Sequence, residues 1–206
     1  MDEKNKPKTL KKEAKQERSK QIVTSILDGA TRVLSSIPLS EATTKKIAEI
    51  AGVGIGSLYD YFPDKKSIAV SLIDRRVKQS IEDFSSILKD PKHKSLEETA
   101  QAVTEYLMTE VAERRNFLRE IFLLAPESGR VEMIFYSRLE MATKVEEYLS
   151  ATNKKYTEGE IKEKSFLCVH AVLGIIEGYI ITEPVTVSRE TLAKTIHRII
   201  KEMIET

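Results

Sequence analysis

The stretch EIAGVGIGSLYDYFPDKKSI, Glu49 to Ile68, places Gly52, Gly54 and Gly56 at alternating positions just before the hydroxyl of Ser57. Two chemistries share that pattern. Backbone amides of a glycine loop can cradle a phosphate, and a glycine between two short helices can turn a DNA-reading motif. A cradle needs a strand before the glycines and a helix after them. Here Ile47, Ile50 and Ala51 lie on one helical face upstream, and Ser57 stands where a dinucleotide fingerprint needs its third glycine. No Gly-Lys-Thr/Ser ending follows to complete a P-loop. The helix-turn-helix reading accounts for more of the residues. Ala48 is small enough for a helix crossing, Gly52 serves the turn, and Ile47, Val53, Leu58 and Phe62 pin both helices to a third. That leaves Ile55, Gly56, Ser57, Tyr59 and Tyr61 on the outer side, facing base edges and phosphates.

The elements that must hold this motif are helical. Ile22, Ile26, Ala30, Val33 and Ile37 recur at three- and four-residue spacing from Ser19 until Pro38. Thr43-Thr44 offers a cap to a short helix over KKIAEIA, and Gly52 suits the left-handed position after it. A second short helix, about Ile55 to Phe62, stops before Pro63. Asp64 caps a long helix whose stripe is Val70, Ile73, Val77, Ile81, Phe84 and Leu88. Further helices are expected near 96–113, 114–124, 127–150, 157–182 and 188–205, with a break at Ala125-Pro126. The expected fold is all-α with about nine helices. Residues 1–16 form a flexible basic arm, 17–63 a three-helix helix-turn-helix domain, and 64–206 a larger effector-binding and dimerisation domain entered through a connecting helix, 64–88.

Charge follows the same division. The net charge is +1, but Lys and Arg outnumber Asp and Glu by 13 to 9 through Lys66, and are outnumbered 20 to 23 beyond it. The arm, MDEKNKPKTLKKEAKQ, suits phosphate contact or plain solubility. With 41% hydrophobic and 32% charged residues the chain is neither disordered nor uniformly basic. The lone Cys168 excludes an internal disulfide and a multi-cysteine zinc site, and no apolar leader opens the sequence, so a cytoplasmic protein is expected.

TTKKIAEIAGVGIGSLYDYFPDKKSI, with RSKQIVTSILDGATRVL one helix earlier, resembles the signature of TetR-family transcriptional regulators over residues 18 to about 70. The resemblance implies a homodimer whose recognition helices enter major grooves of a partly palindromic operator on double-stranded DNA. It implies that Thr44 and Lys45, at the start of the first motif helix, lie on phosphate. It further implies that Ile55, Gly56 and Ser57 open the recognition helix toward bases, with Tyr59 and Tyr61 on the backbone or groove wall. Lys65 is expected on another phosphate at a helix N-terminus. Gly54 stands where the family usually has a capping Ser, and Ile55 where it often has Lys; an apolar side chain there favours a thymine methyl.

Beyond the motif, SFLCVHAVLGIIEGYIIT (Ser165 to Thr182) is apolar on nearly all faces and brushes the length of a membrane span, but His170 and Glu177 argue for a helix buried between its own domain and a partner. Ala171, Gly174 and Gly178 leave room for another backbone, or relieve crowding within one subunit. Leu192, Ile196, Ile199 and Met203 form a second seam for the dimer interface. An unknown, partly apolar effector is expected in the C-terminal domain. Candidate lining residues are Phe117, Ile121 and Phe135, with Phe122, Met141 and Tyr179 also of suitable type. His170 and Glu177 share one helix side; the buried Glu needs a partner, whether His170, a ligand donor or a Lys across the dimer. His93, His170 and His197 fall on different helices, so no metal is expected, and no cofactor. No nucleophile–base pair supports an enzyme. The expected function is a sequence-specific transcriptional regulator, a repressor that the effector releases from its operator, with a ligand-responsive activator as the alternative.

Overall fold

The computed structural model describes residues 8–93, 95–152, 155–182 and 186–205. Residues 1–7 of the expected arm lie outside that set. Among the described residues eight helices follow one another: α1 (Lys8–Leu34), α2 (Thr44–Ala51), α3 (Ile55–Tyr61), α4 (Lys65–Leu88), α5 (Leu96–Glu127), α6 (Val131–Thr152), α7 (Glu158–Ile181) and α8 (Arg189–Glu205). They form two compact units, the first ending at Leu72 and the second starting at Ile73, so the division falls inside α4.

In the first unit the punctuation is where the sequence puts it. Thr43 is extended and its side chain accepts from the Lys46 amide, capping α2, while Gly52 ends that helix at φ 68°, a conformation glycine adopts without strain. Gly54 opens α3 with no side-chain cap. Asp64 Oδ1 accepts the Ser67 amide at 2.7 Å and starts α4. The core holds Ile26, Ala30 and Val33 from α1, Ile47 and Ala48 from α2, Leu58 from α3, and Ile68, Ala69 and Leu72 from α4. Gly29, which periodicity does not single out, lets α1 meet α2 closely. A Cβ there would lie 2.8 Å from the Ala51 Cβ and 2.9 Å from its backbone nitrogen.

Two boundaries differ from the sequence expectation. α1 begins at Lys8 rather than Ser19, because the segment before Ser19 has no apolar stripe but also no glycine or proline after Pro7. The 96–113 and 114–124 helices are one. No breaker separates them, and Pro126 is carried in the last turn before Gly129 ends the path at φ 66°. Ser95 with Glu98, and Thr157 with Glu160, form capping boxes at the starts of α5 and α7. In the second unit α7 packs on α5, α6 and α8. It is the one helix among the described residues long and apolar enough to cross a membrane, and its inner face is buried in this unit through Cys168, Val169, Val172, Ile176 and Ile180.

The Gly29 contact is testable. Gly29→Ala should lower stability by about 1–3 kcal/mol through overpacking, despite a helix-propensity gain of about 1 kcal/mol. Urea unfolding followed by circular dichroism reads the sign; a more stable variant would mean the two backbones do not meet as described.

Candidate nucleic-acid interface and effector cavity

α3 presents its outer side to solvent: Ile55 and Tyr59 are 43% and 51% exposed, Gly56 is open, and Ser57 is half-buried. A Cβ at Gly56 would meet nothing within 4 Å, so the first turn of α3 is bare enough for close approach. Thr44 and Tyr59 share a hydroxyl–hydroxyl bond of 2.9 Å, which brings the first turn of α2 beside the middle of α3. Lys45 is exposed on α2 next to that pair. These residues therefore sit on one surface of the first unit.

Two expected contacts are placed differently. Tyr61 is half-buried and its hydroxyl donates to Ser19 Oγ at 3.1 Å, tying α3 to α1. Lys65 directs its ammonium back into the unit, donating to the carbonyls of Leu39, Ser40 and Ala42 at 2.9, 3.1 and 3.2 Å. Three donors and three acceptors are matched, so the side chain holds the α1–α2 turn, and what Lys65 leaves outward is its backbone position in the first turn of α4.

The second unit encloses a cavity of about 170 Å3. Its wall is almost wholly aliphatic and aromatic, with Phe84, Leu107, Ile121, Phe122, Met141 and Val172 among the lining residues. Of the expected ligand residues Ile121 lines it. Phe117 is buried elsewhere, Phe135 is 52% exposed under the Arg138 guanidinium, and neither His170 nor Glu177 reaches the wall. His170 stacks on Phe166 with ring centroids 3.9 Å apart, its Nδ1 within hydrogen-bond distance of the Phe166 carbonyl. Glu177 pairs instead with Arg138 of α6. His170 and Glu177 are thus not partners.

The sequence reading missed the polar groups of the wall. Arg76 of α4 pairs with Glu110 of α5, whose other oxygen accepts Arg114 Nη1 at 2.9 Å. The Thr99 and Tyr148 hydroxyls share a bond of 3.0 Å. Arg76, Glu110 and Arg138 each interrupt the apolar stripe of their own helix, and that interruption is the signal that could have found them. Burial of Tyr106 pushes its phenol above the usual range. Cys168 also lines the cavity, and burial pushes its thiol up to about 11.

The expected dimer residues divide. Ala171, Gly174 and Gly178 lie on the outward side of α7, and a Cβ at either glycine would meet nothing within 4 Å. Crowding inside the subunit is therefore not what those glycines relieve. Leu192 and Ile196 are spent on the unit's own core with Ile200 and Ile204, while Ile199 and Met203 remain half-buried. A single 3–4 seam does not hold all four, because the inward stripe of α8 runs 192, 196, 200, 204.

Residues 26–72 match the family described as bacterial regulatory proteins, tetR family. Over these residues the chain is similar to that family. The segment that matches is the one that builds α2, the Gly52 turn and α3. The fatty acid metabolism regulator protein of Bacillus subtilis (strain 168) is 34% identical over 65 residues, 32% of this chain and 34% of that protein. That alignment spans only about a third of the curated relative. Among solved structures, a putative TetR-family transcriptional regulator from Mesorhizobium loti is similar with a TM-score of 0.72 at 18% identity, covering 91% of this chain and 97% of that one. The transcriptional regulator FadR from Bacillus subtilis, in complex with stearoyl-CoA, has a TM-score of 0.59 at 18% identity, covering 88% and 97%. At such identities these likenesses establish the TetR-family fold.

Two outcomes follow from the placed side chains. Lys65→Met leaves three carbonyls to water and should cost about 1–3 kcal/mol, read by urea unfolding of the full chain. For Cys168, burial favours the neutral thiol, so at pH 8 the native protein should react with a small alkylating reagent about a hundredfold more slowly than the urea-unfolded chain. Equal rates would place the thiol in water.

Proposed function

We propose that this protein is a TetR-family regulator, a cytoplasmic, homodimeric, sequence-specific DNA-binding transcriptional regulator, and that it represses until an effector in the C-terminal cavity releases it. The observation that carries the proposal is the bare, outward first turn of α3 beside the Thr44–Tyr59 pair, within the segment that matches the family. Ile55, Gly56 and Ser57 read base edges, with Ile55 suited to a thymine methyl. Thr44, Lys45 and Tyr59 hold phosphates. Tyr61 supports the reading helix through Ser19, and Lys65 contributes its backbone amide at the α4 N-terminus in place of its ammonium.

Two reading heads must sit in successive major grooves, about 34–36 Å apart for a simple helix-turn-helix dimer. The dimer is formed by the outward faces of α7 and α8, through Ala171, Gly174, Gly178, Ile199 and Met203, with Phe166 and Leu167 as apolar contacts. α4 is the chain's link between reading head and cavity, so a ligand preferred by one arrangement of α4 changes the fraction of protein able to span both grooves. Its effect on operator affinity is limited to its preference between those states. The apolar wall and the stearoyl-CoA held by the similar FadR structure favour an effector with a long apolar portion.

The experiment is fluorescence anisotropy of the purified protein on the DNA immediately upstream of its own gene, at two salt concentrations, with a scrambled duplex as control. Specific binding that weakens steeply with salt, and that Ser57→Ala and Tyr59→Phe reduce, is expected. A flat salt response, or equal affinity of both variants and parent, would contradict the assigned surface.

A further inference from the structure

The cavity wall is apolar along most of its length, with the charged side chains of Arg76, Glu110 and Arg138 set into it. The contacts between helices give the order along one stretch. Thr99 of α5 meets Tyr148 of α6, while farther along α5 Glu110 meets Arg76 of α4, and Arg138 of α6 lies ten residues before Tyr148. Eleven residues of α5 separate Thr99 from Glu110, about 16 Å of helix. An apolar stretch of that length running up to a guanidinium fits a linear amphiphile better than a compact apolar molecule.

The charges set into the wall are unequal in kind. Arg138 and Glu177 are balanced one to one. Around Glu110, two guanidinium groups share one carboxylate: Arg76 takes one oxygen and Arg114 the other. Farther along α4, Glu82 pairs with Lys78 and Asp83 is engaged by Gln79 at 2.8 Å and by Tyr106 at 3.5 Å, whose side chain also bonds Arg76. The Arg76 and Glu110 side chains are only 12% and 11% exposed, and the Arg76 Nε is buried without a hydrogen-bond partner. A buried cation that keeps an unused donor on a cavity wall is incompletely compensated.

We propose that Arg76 is the anion receptor of this cavity and that its ligand is a linear monoanionic amphiphile, of the class of long-chain carboxylates, whose head group takes Arg76 over from Glu110. The exchange leaves no charge stranded. Glu110 stays paired with Arg114, and the ligand's anion supplies the negative charge that the Arg76–Glu110–Arg114 cluster lacks. Planar guanidinium suits a carboxylate with two parallel donors. Because Arg76 stands on α4, four residues past the point where the two units divide, capture of the head group acts on the helix that carries on into the reading unit.

This inference rests on the reading of the cavity as the effector site, and its test needs no DNA. Isothermal titration of the full-length protein with dodecanoate and with dodecan-1-ol, each below its micelle concentration, separates the head group from the tail. Dodecanoate should bind at least about tenfold more tightly than the alcohol. Arg76→Gln should bring the ratio to about one, whereas Glu110→Gln, which frees Arg76, should raise it. Arg138→Gln should leave the preference in place. Circular dichroism checks that each variant folds, and Glu110→Gln keeps the idea falsifiable if Arg76→Gln does not. Equal affinity for acid and alcohol in the parent, a preference that survives Arg76→Gln, a lower ratio in Glu110→Gln, or binding of neither probe would overturn the assignment. A ligand-free protein that binds no operator, with the dodecanoate preference intact, would instead count against the regulator reading alone.

Discussion

α4 has to satisfy two cores with one uninterrupted helix. Ile68, Ala69 and Leu72 complete the first unit, and Ile73, Val77 and Phe84 belong to the second. Each core gains stability by gripping its share of the same rod. The Asp64 cap and the Lys65 ammonium fasten the start of that rod, and the Arg76 and Asp74 pairs, to Glu110 and Arg130, fasten its middle. Any molecule that alters the second set of fasteners acts on the same helix as the first. That is why the cavity and the reading motif belong in one account although they lie in different units.

The charged residues beside the cavity would be hard to justify on stability alone. A buried ion pair often does no better than apolar residues of equal volume, while removal of one partner strands a charge at a cost of about 3–5 kcal/mol. Glu110 avoids that penalty through two arginines, one nearly buried and one half-exposed. With two arginines on it, Glu110 would keep one partner if the other were withdrawn. Arg138 and Glu177 have no such spare partner, which suits a fixed brace between α6 and α7.

Local signals in the sequence were legible where a single residue decides the backbone. Thr43, Gly52, Pro63 and Asp64 bracket the two motif helices because capping, positive φ and a missing amide act within one turn. Helix breaks were legible only where a breaker exists, so the polar run near Arg114 read as a boundary that the structure does not have. The start of α1 was missed for the opposite reason, since a helix without an apolar stripe gives periodicity nothing to detect. Of the motif residues, Tyr59 and Ile55 are outward as their positions suggest, but nothing local told that Lys65 turns inward to three carbonyls or that Gly29 meets Ala51. Those are long-range facts. The effector residues failed in the same way: type pointed to Phe135, while the wall is set by which residues face the space between helices.

α7 shows why apolar content alone cannot separate a core face from an interface face. Cys168, Val172, Ile176 and Ile180 point into the unit, yet Phe166 and Leu167 are equally apolar and point out. The outward stripe narrows at Gly174 and Gly178, whose Cβ space is empty. Glycine within a helix costs about 1 kcal/mol relative to alanine, and two of them one turn apart cost about twice that. Inside the subunit nothing returns that cost, because no neighbour uses the room they leave. Close approach by a backbone from outside would, which is the physical reason for assigning this stripe to the proposed dimer rather than to the core.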